Sequence, residues 1–291
     1  IVIWATAYTN TIFQLDNIRW EGIDDGSTEP PMGGDDGWEI PDFTGYQSAT
    51  SYDGYSQVWS DEFNGSIINT EDWGYDIGGG GWGNNELEFY TNRNAYLKDG
   101  QLVIRADKEN YGGREYTSSR LKTQGKKNFQ YGRIDIRARL PEGQGMWPAL
   151  WMLGKNITEV SWPNSGEIDI MEHWGSNQNY AQSAIHTRSS HGNTVNLGGQ
   201  YLPTVSSEFH SYTLDWTAEK LVFEVDGVHH YTYNPALKNN ATWPFDSPQY
   251  LLLNFAIENI IDPDFKEDTF DIDHVRIYNQ AGTLIFVDEF N

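Results

Sequence analysis

Short runs in which apolar and polar residues alternate follow one another from about Ser56 to Asn279. A period of two residues indicates strands that bury one side. The alternation is strict from Arg133 to Arg139, where we expect the charged side chains to face solvent and the apolar ones to face the core. No segment carries a long apolar stripe of helical spacing. The clearest predicted strands are 101–106, 132–140, 167–172, 211–216, 221–226, 249–257 and 270–278.

The spacing of these strands predicts an all-β fold, a sandwich of two antiparallel sheets that occupies residues 56–280. The 29 Gly residues supply the frequent turns that such a fold needs. Residues 1–20 have a partly strand-like pattern, and residues 21–55 are rich in Gly, Asp, Ser and Pro, which predicts a linker. Residues 281–291 are interpreted as a C-terminal extension.

Composition narrows the possible partners. The formal net charge of -23 argues against nucleic acid and anionic membranes, because both would be repelled. No apolar run approaches the ~20 residues that span a bilayer. Cysteine is absent, so neither disulfides nor thiolate chemistry is available. The start at Ile1-Val2 is typical of a mature segment, and we expect a monomer that is secreted or on the cell surface, of bacterial origin.

The segment Gly166 to Glu172 carries three acidic residues among large apolar ones. In a regular strand Glu167 and Asp169 face one side, while Glu172 falls on the opposite side with Ile168 and Ile170. An unpaired carboxylate in the core costs several kcal/mol. We therefore predict a β-bulge near Met171, with Met171 as the extra residue, which returns Glu172 to the side of the other two acids.

Three carboxyls on one face have chemical value. Retaining glycosidases use two carboxyls about 5–5.5 Å apart, one as nucleophile and one as general acid. Neighbouring acids also repel one another, so one of them holds its proton at neutral pH, as a general acid must. Two other interpretations of this strand remain open at this point, an acidic strand that faces solvent and a divalent-metal cluster.

Several motifs together resemble glycoside hydrolase family 16. The run Gly-Glu-Ile-Asp-Ile-Met-Glu at 166–172 is similar to the family signature in its bulged form, with two residues between Asp and the second Glu. Tyr-Gly-Arg at 131–133 and the run 140–153, which contains Gln-Gly-Met-Trp-Pro-Ala-Leu-Trp, resemble the segments that precede it. Gly-Trp-Gly-Asn-Asn-Glu-Leu at 81–87 resembles the laminarinase branch. The resemblance covers about residues 58–278.

The resemblance implies a β-jelly-roll sandwich with a substrate cleft on its concave sheet, and a reaction that retains anomeric configuration. It implies that Glu167 is the nucleophile, Glu172 the general acid/base, and Asp169 a modulator of the nucleophile. The expected activity is endo-β-1,3-glucanase action on laminarin-type polysaccharides. A family 16 hydrolase of mixed-linkage glucan or a marine galactan, and a non-catalytic glucan-binding protein on the same fold, are the alternatives.

Aromatic and polar residues near these motifs are candidates for substrate binding, because indole rings stack on the apolar faces of sugars. The resemblance implies that Trp147 and Trp151 flank the subsites on the non-reducing side, and Trp174 is expected on the leaving-group side. His173 and His191 are weaker candidates. The polar candidates are Asn85, Arg120 and His186, although Arg120 is also a candidate surface charge partner and a strand histidine such as His186 often has only a structural role.

No cofactor is expected for catalysis, since no histidine pair has the spacing of a transition-metal site. The resemblance implies a structural calcium on the convex side, at positions that match Glu62, Gly100 and Asp273. Oxygen donors suit such a hard cation, while an ordinary acidic surface turn is the alternative. One departure from the laminarinase pattern is Glu258-Asn259, where many such members have two glycines. Residues 1–20 resemble the last strand of a carbohydrate-binding module.

Overall fold

Two sheets stack face to face in the computed structural model, which describes residues 44–280 and the strand Phe286–Val287. The helical elements within these residues are α1, Ile157–Val160, and a 3-10 turn, Gly175–Asn177. The strands are β1 Tyr55–Asp61, β2 Gly74–Tyr75, β3 Glu88–Tyr90, β4 Ala95–Lys98, β5 Gln101–Asp107, β6 Tyr116–Ser118, β7 Arg120–Lys122, β8 Asn128–Phe129, β9 Gly132–Arg139, β10 Met146–Gly154, β11 Glu167–His173, β12 Tyr180–His186, β13 Leu197–Tyr201, β14 His210–Trp216, β15 Leu221–Val225, β16 Val228–Tyr233, β17 Gln249–Ile257, β18 Glu267–Gln280 and β19 Phe286–Val287.

Sheet A runs in the order β13-β12-β11-β10-β17-β7-β2, and β8 pairs with both β17 and β19 at its side. Sheet B runs β16-β15-β14-β9-β18-β5-β6-β3, with β1 on β18 and β4 on β5. The pairs are antiparallel except for β3 and β6. The predicted all-β sandwich is therefore confirmed, and all seven predicted strands occur as β5, β9, β11, β14, β15, β17 and β18, with small changes at their ends.

The core lies between the two sheets, since each strand directs alternate residues inward. Sheet A contributes fully or almost fully buried side chains such as Leu150 and Phe255, and sheet B contributes others such as Ile134 and Phe223. Burial of such side chains stabilises the fold by about 1.5–3 kcal/mol each. The opposite face of sheet A is left free of this packing and carries the residues described below.

The charged face of β9 differs from the prediction. Arg133, Asp135 and Arg137 are buried, not solvent-facing. The segment 44–52 covers them: Ser48 and Tyr52 donate hydrogen bonds to the Asp135 carboxylate, and Arg137 Nε donates to the Tyr46 carbonyl oxygen. The prediction was wrong because the covering segment is remote in sequence, so that the alternation of β9 carries no sign of it.

The predicted domain boundaries fall partly outside the described residues. Residues 1–43, which include the strand-like stretch 1–20 and most of the predicted linker, lie outside them. Residues 44–55 contact sheet B through the hydrogen bonds above and begin strand β1 at Tyr55, so this end of the predicted linker belongs with the sandwich. Of the predicted extension 281–291, Phe286–Val287 pairs with β8. None of the described helices is long and apolar enough to cross a membrane.

Candidate active site

A cleft of about 900 Å³ lies on the outer face of sheet A. Its floor consists of alternate residues of β10, β11, β12 and β17, because side chains of one strand face the cleft at every second position. Gly154 is the last residue of β10, and Gly166 immediately precedes Glu167, the first residue of β11. The predicted site residues that line the cleft are Arg120, Trp147, Trp151, Glu167, Asp169, Glu172, Trp174 and His186.

A β-bulge in β11 brings the three carboxyls to this face, as predicted. Asp169 pairs with Ala184 of β12 and Glu172 with Gln182, so Ser183 alone faces both Ile170 and Met171. The predicted identity of the extra residue is corrected, because Met171 keeps a partner in β10, Leu150, and Ile170 is the residue without one there. Both side chains are buried in the core, which anchors the bulge from below.

Burial raises the pKa values of the three acids. For Glu172, burial and the nearby charge of Asp169 raise the pKa to about 8, against the smaller opposing effects of His186 and of the Trp147 N–H. Burial raises the pKa of Asp169 and, together with the Asp169 charge, that of Glu167. Like charges this close cannot all ionise at neutral pH, so the group retains protons there. Such a site can both donate a proton and present a carboxylate.

His186 of β12 is the basic side chain nearest to the acids. Its Nε2 lies 3.2 Å from Asp169 Oδ2 and 3.7 Å from Glu167 Oε1. Glu167 pairs directly with His186 across the two strands. An imidazole in this position stabilises the negative charge of the Glu167–Asp169 pair and lowers the pKa of Glu167. His186 therefore lines the cleft and lies beside two of the acids, while its predicted contact with substrate stays a prediction.

Indole N–H groups hold two of the carboxylates. Trp147 Nε1 donates to Glu172 Oε1 at 3.1 Å, and Trp162 Nε1 donates to Glu167 Oε2 at 3.0 Å. The Trp147 and Trp174 rings lie with their centroids 5.9 Å apart. Each of the two glutamates thus has its own indole donor, and Trp174 lies on the Glu172 side of the cleft.

A second aromatic group lies at the other side of β10. The Arg120 guanidinium lies 4.7 Å from the Trp151 ring and 5.0 Å from the Trp82 ring, and its Nε is 3.0 Å from Asp76 Oδ2. Arg120 thus has an ionic partner and also lines the cleft, and its contact with substrate hydroxyls stays a prediction. Trp147 and Trp151, expected to flank the same subsites, belong to different aromatic groups.

Buried polar side chains fix the orientation of Trp151. Its Nε1 donates to Asn254 Oδ1 at 2.7 Å, and Asn254 Nδ2 donates to the Tyr90 hydroxyl at 3.1 Å. Tyr90 in turn donates to Glu86 Oε2 at 2.8 Å. Because each of these hydrogen bonds restricts a rotamer, the Trp151 ring is held in place before any ligand arrives.

Three further candidate residues, Asn85, His173 and His191, lie outside the lining of the cleft. Asn85 is exposed, with a left-handed φ of 58°, and its neighbours Asn84 and Glu86 line the cleft instead. His173 is buried and its Nδ1 contacts the Tyr180 carbonyl oxygen, away from the cleft lining. His191 packs edge-on against Trp162, with centroids 5.2 Å apart.

Trp162 is the functional residue that the sequence analysis missed. Its side chain is 43% exposed, lines the cleft and contacts Glu167. The available signal was a Trp-Pro pair shortly before Gly166-Glu167, which alternation does not register because it lies in a loop. Glu258, noted as a departure from the laminarinase pattern, also lines the cleft.

Two groups of residues, one in the cleft and one on the sheet B side, carry side chains or carbonyls that could bind a metal ion. Within the described residues, Glu167, Asp169 and His186 are the group of three His, Cys, Asp or Glu side chains whose donor atoms lie within 4.8 Å of one another. These are the same carboxyl and imidazole atoms whose contacts with one another are described above. The predicted calcium residues Glu62, Gly100 and Asp273 lie on the sheet B side, near β18 and the ends of β1 and β5.

Comparison with known proteins identifies the family. The family model described as "Glycosyl hydrolases family 16" matches residues 83–276. This chain belongs to glycoside hydrolase family 16. It is 43% identical over 240 residues to the beta-glucanase of Rhodothermus marinus, a match that covers 76% of this chain and 84% of that protein. The predicted family is confirmed, and with it a glycoside hydrolase activity.

Solved structures of family 16 laminarinases share the fold. The laminarinase of Flavobacterium sp. UMI-01 superposes with a TM-score of 0.74 at 44% identity, over 77% of this chain and 100% of that one. A mutant of SCLam, described as a non-specific endo-β-1,3(4)-glucanase, superposes with a TM-score of 0.75 at 36% identity, over 81% and 99% of the two chains. The jelly-roll interpretation of the sandwich is thereby confirmed.

Proposed function

We propose that this family 16 enzyme is a retaining endo-β-1,3-glucanase that acts on laminarin-type polysaccharides. The observation that carries the proposal is the bulged strand β11, in which two half-buried glutamates share a cleft face and each accepts a hydrogen bond from its own tryptophan. In this proposal Glu167 is the nucleophile and Glu172 the general acid/base. The similarity to laminarinases supports the choice of substrate.

The first step forms a glycosyl-enzyme. The Glu167 carboxylate attacks the anomeric carbon, the bond from that carbon to the glycosidic oxygen breaks, and Glu172 transfers its proton to the departing oxygen. The raised pKa of Glu172, about 8, keeps this proton available at neutral pH. The Trp162 N–H and His186 favour the carboxylate form of Glu167, which the attack requires.

The second step releases the sugar. Glu172, now a carboxylate, removes a proton from a water molecule, and the water oxygen attacks the anomeric carbon while the ester bond to Glu167 breaks. Two inversions give net retention. Every bond change is accounted for by two carboxyls and water, so the proposed reaction needs no cofactor. Asp169, beside Glu167, modulates the charge of the nucleophile as the leaving group departs.

The charges of the cleft favour a neutral polymer. Five acidic side chains line it, whereas the basic ones are Arg120 and His186. A sulfated galactan would meet this negative field together with a net charge of -23 and would be repelled. Mixed-linkage β-glucan is the second candidate, and the similarity to SCLam supports it.

One experiment separates these candidates. We expect the highest rate of reducing-sugar release on laminarin, a lower rate on lichenan, and no release from agarose or carrageenan. Proton NMR of the early products should show the β-anomer, as retention requires. The control is Glu167→Ser, which keeps a small polar side chain but lacks a carboxylate. If the wild type binds laminarin but releases no sugar, the proposed hydrolase activity on laminarin is contradicted and the glucan-binding alternative is favoured.

We also propose that Glu62, Gly100 and Asp273 lie around a structural calcium. The sheet register supports this grouping, since β1 ends at Asp61 opposite Val275 and β5 pairs through Leu102 with Ile272. Asp273 lies in the gap between these two pairings, at a bulge of β18. This register supports a single site, and the three positions offer the oxygen donors that calcium prefers.

Ion pairs limit how the calcium is bound. The Glu62 carboxylate is bidentate with Arg276, at 2.9 and 2.8 Å, and Asp273 Oδ2 accepts from Arg137 Nη1 at 3.0 Å. The proposed donors are therefore the main-chain carbonyl oxygens of Glu62 and Gly100, with Asp273 Oδ1. The two carbonyl oxygens are neutral, and the negative charge of Asp273 is partly balanced by Arg137. We therefore expect calcium to bind with moderate affinity.

Calcium should raise thermal stability without changing the chemistry. At free calcium of about 100 times Kd, the free energy of unfolding should rise by about 2.7 kcal/mol, which shifts Tm by several degrees. Calorimetry with calcium, magnesium or a chelator measures this shift, and kcat at 25 °C should stay constant. Equal Tm values with calcium and with the chelator would remove the calcium from the proposal.

The location and the oligomeric state of the enzyme bear on how it meets its substrate. We propose that it is secreted or on the cell surface of a bacterium and that it is a monomer, which its strongly negative surface supports through self-repulsion. Sedimentation velocity tests the second point. Residues 1–20 keep their interpretation as the end of a carbohydrate-binding module, joined by a linker to the catalytic unit.

A further inference from the structure

Two β-bulges face each other across the interior near the end of the sandwich. The first is the catalytic bulge of β11, where Ile170 and Met171 both face Ser183 of β12. The second lies in β16 of sheet B, where Tyr231 pairs with Phe223 and His229 with Glu224, so that His230 is the extra residue. His230 and Tyr231 consequently both contact Phe223 on the inner side.

Ser183 joins the two bulges by hydrogen bonds. Its Oγ donates to the Ile170 carbonyl oxygen at 2.7 Å and lies 2.9 Å from His230 Nε2. A serine hydroxyl has a single proton, and here it goes to the carbonyl, so His230 must donate its Nε2–H to the Ser183 oxygen. The direction of the chain is thus fixed as His230 to Ser183 to Ile170.

The bulge explains why such a chain is needed. A regular antiparallel ladder satisfies each carbonyl with a strand partner, but the extra residue of a bulge interrupts this pairing. Ser183 is 1% exposed and Ile170 is 2% exposed, so water cannot easily replace the missing donor. An unpaired buried carbonyl is unfavourable, and a strand that relieves it by shifting its register would turn Glu172 towards the core.

We propose that Ser183 and His230 are positioning residues that hold the bulge of β11 and thereby set the placement of Glu172 relative to Glu167. The inference rests on the proposed roles of these two glutamates. Neither Ser183 nor His230 lines the cleft, and Gln182 and Ala184 on either side of Ser183 do so instead. Sheet B thus supports the catalytic strand of sheet A through a side-chain relay.

The test uses two substrates that differ in their need for a proton. Cleavage of laminarin requires protonation of a poor leaving group by Glu172, whereas a nitrophenyl β-laminaribioside releases a stable phenolate without it. For Ser183→Ala we expect kcat/KM to fall about tenfold or more on laminarin, and by less than about threefold on the nitrophenyl substrate. A general loss of folded protein would lower both values equally.

The His230 variants provide an independent measurement. His230→Phe keeps a ring but lacks the donor, while His230→Gln keeps an N–H near the position of Nε2. We expect the first to repeat the leaving-group dependence of Ser183→Ala and the second to restore most of the wild-type ratio. Each variant is assayed at a temperature at which circular dichroism shows it to be folded.

Matched controls make the outcome decisive. Ser211→Ala removes another buried strand hydroxyl, one that bonds to Asp135 on sheet B, and it should lower Tm without altering the ratio of the two kcat/KM values. Glu172→Gln should show the largest leaving-group dependence. If Glu172→Gln shows it and folded Ser183→Ala does not, the positioning role is overturned. If Glu172→Gln lacks it as well, the proposed catalytic role of Glu172 fails first.

Discussion

Acidic residues on the two sheets, although all are at least half-buried, behave in opposite ways. In the cleft of sheet A, Glu167, Asp169 and Glu172 all have raised pKa values. On sheet B, Asp135 is 0% exposed, yet its pKa is lowered. Burial by itself raises the pKa of a carboxyl in both places, because it disfavours the charged form. The difference therefore arises from the neighbours of each acid.

Asp135 is surrounded by hydrogen-bond donors. Ser211 donates to its Oδ1 at 2.6 Å, Ser48 donates at 3.1 Å, and the Tyr52 hydroxyl donates to Oδ2. His274 Nε2 lies 3.9 Å from Asp135 Oδ1. Burial lowers the pKa of His274, but Asp135 and Asp273 raise it by more, so the pKa of His274 is raised overall. These donors outweigh the burial of Asp135, so its charge stabilises the fold.

The cleft acids have one another as neighbours and fewer donors. Glu172 has the Trp147 N–H and Glu167 has the Trp162 N–H, while Asp169 Oδ2 is buried and, among the described residues, contacts no donor other than His186. Like charges then add to the effect of burial. The donors and charges around a carboxyl therefore decide whether its pKa in the folded protein lies above or below its usual range. Three substitutions test this view.

Glu172→Gln should have the largest effect. The amide cannot transfer a proton, so kcat/KM on laminarin should fall by about 10²- to 10⁴-fold. In the wild type the raised pKa predicts that kcat/KM declines above about pH 8 as Glu172 loses its proton, and this alkaline limb should be absent from the variant. A pH-rate profile of both proteins measures it, and an unchanged alkaline limb would contradict the assignment.

The same variant should fold at least as well as the wild type. An acid whose pKa is raised by folding lowers stability as the pH rises above its unfolded value, because its charge is less favourable in the folded state. Removing Glu172 should therefore raise or preserve Tm at pH 8. This stability measurement is the direct counterpart of the next substitution on sheet B.

Asp135→Asn should destabilise the protein by about 3 kcal/mol. The amide group would place a donor against the donors from Ser48, Tyr52 and Ser211, and it would leave Asp273 as the remaining counter-charge of His274. Because folding lowers the pKa of Asp135, its contribution is complete above about pH 4 and declines as the pH falls through the folded value. His274 has a raised pKa, so its contribution is complete below about pH 6.5 and declines at higher pH.

Urea unfolding between pH 3 and pH 8 measures this prediction. The difference between wild type and Asp135→Asn should be largest between about pH 4 and pH 6.5 and smaller on either side. The activity of the folded variant should be close to that of the wild type, since Asp135 lies on the sheet opposite the cleft. A difference that does not vary with pH would show that the charge of Asp135 is not the cause.

The strand positions were predicted well from the sequence. Strand β9, whose residues alternate, and strand β17, which is apolar almost throughout, were both predicted at almost their full length. Alternation could not show that the charged side of β9 is covered, since the cover comes from residues 44–52, far away in the chain. The residue type alone did not indicate whether Asp135 was to be solvated or buried.

The site was predictable where local geometry determines it. Because side chains alternate along a strand, Glu172 can face the same side as Glu167 and Asp169 only if β11 has a bulge, and the structure has one. The predicted extra residue was Met171, whereas Ile170 is the residue without a partner in β10. Trp162 was not predicted, because it reaches Glu167 from a loop whose path depends on tertiary packing. Asn85 was misassigned for a similar reason, since a one-residue difference in a turn decides which of Asn84 and Asn85 faces the cleft.

Trp162→Phe should have the smallest effect and the most specific one. The phenyl ring keeps an aromatic surface in the cleft, but Glu167 loses the donor at 3.0 Å, which costs about 1 kcal/mol or roughly fivefold in kcat/KM. The Trp162 N–H lowers the pKa of Glu167, so its removal should raise that pKa and move the acidic limb of the pH-rate profile to higher pH. Glu167 would then resemble the other cleft acids more closely and Asp135 less. An acidic limb that stays in place, with weaker laminarin binding, would instead make Trp162 a stacking surface alone.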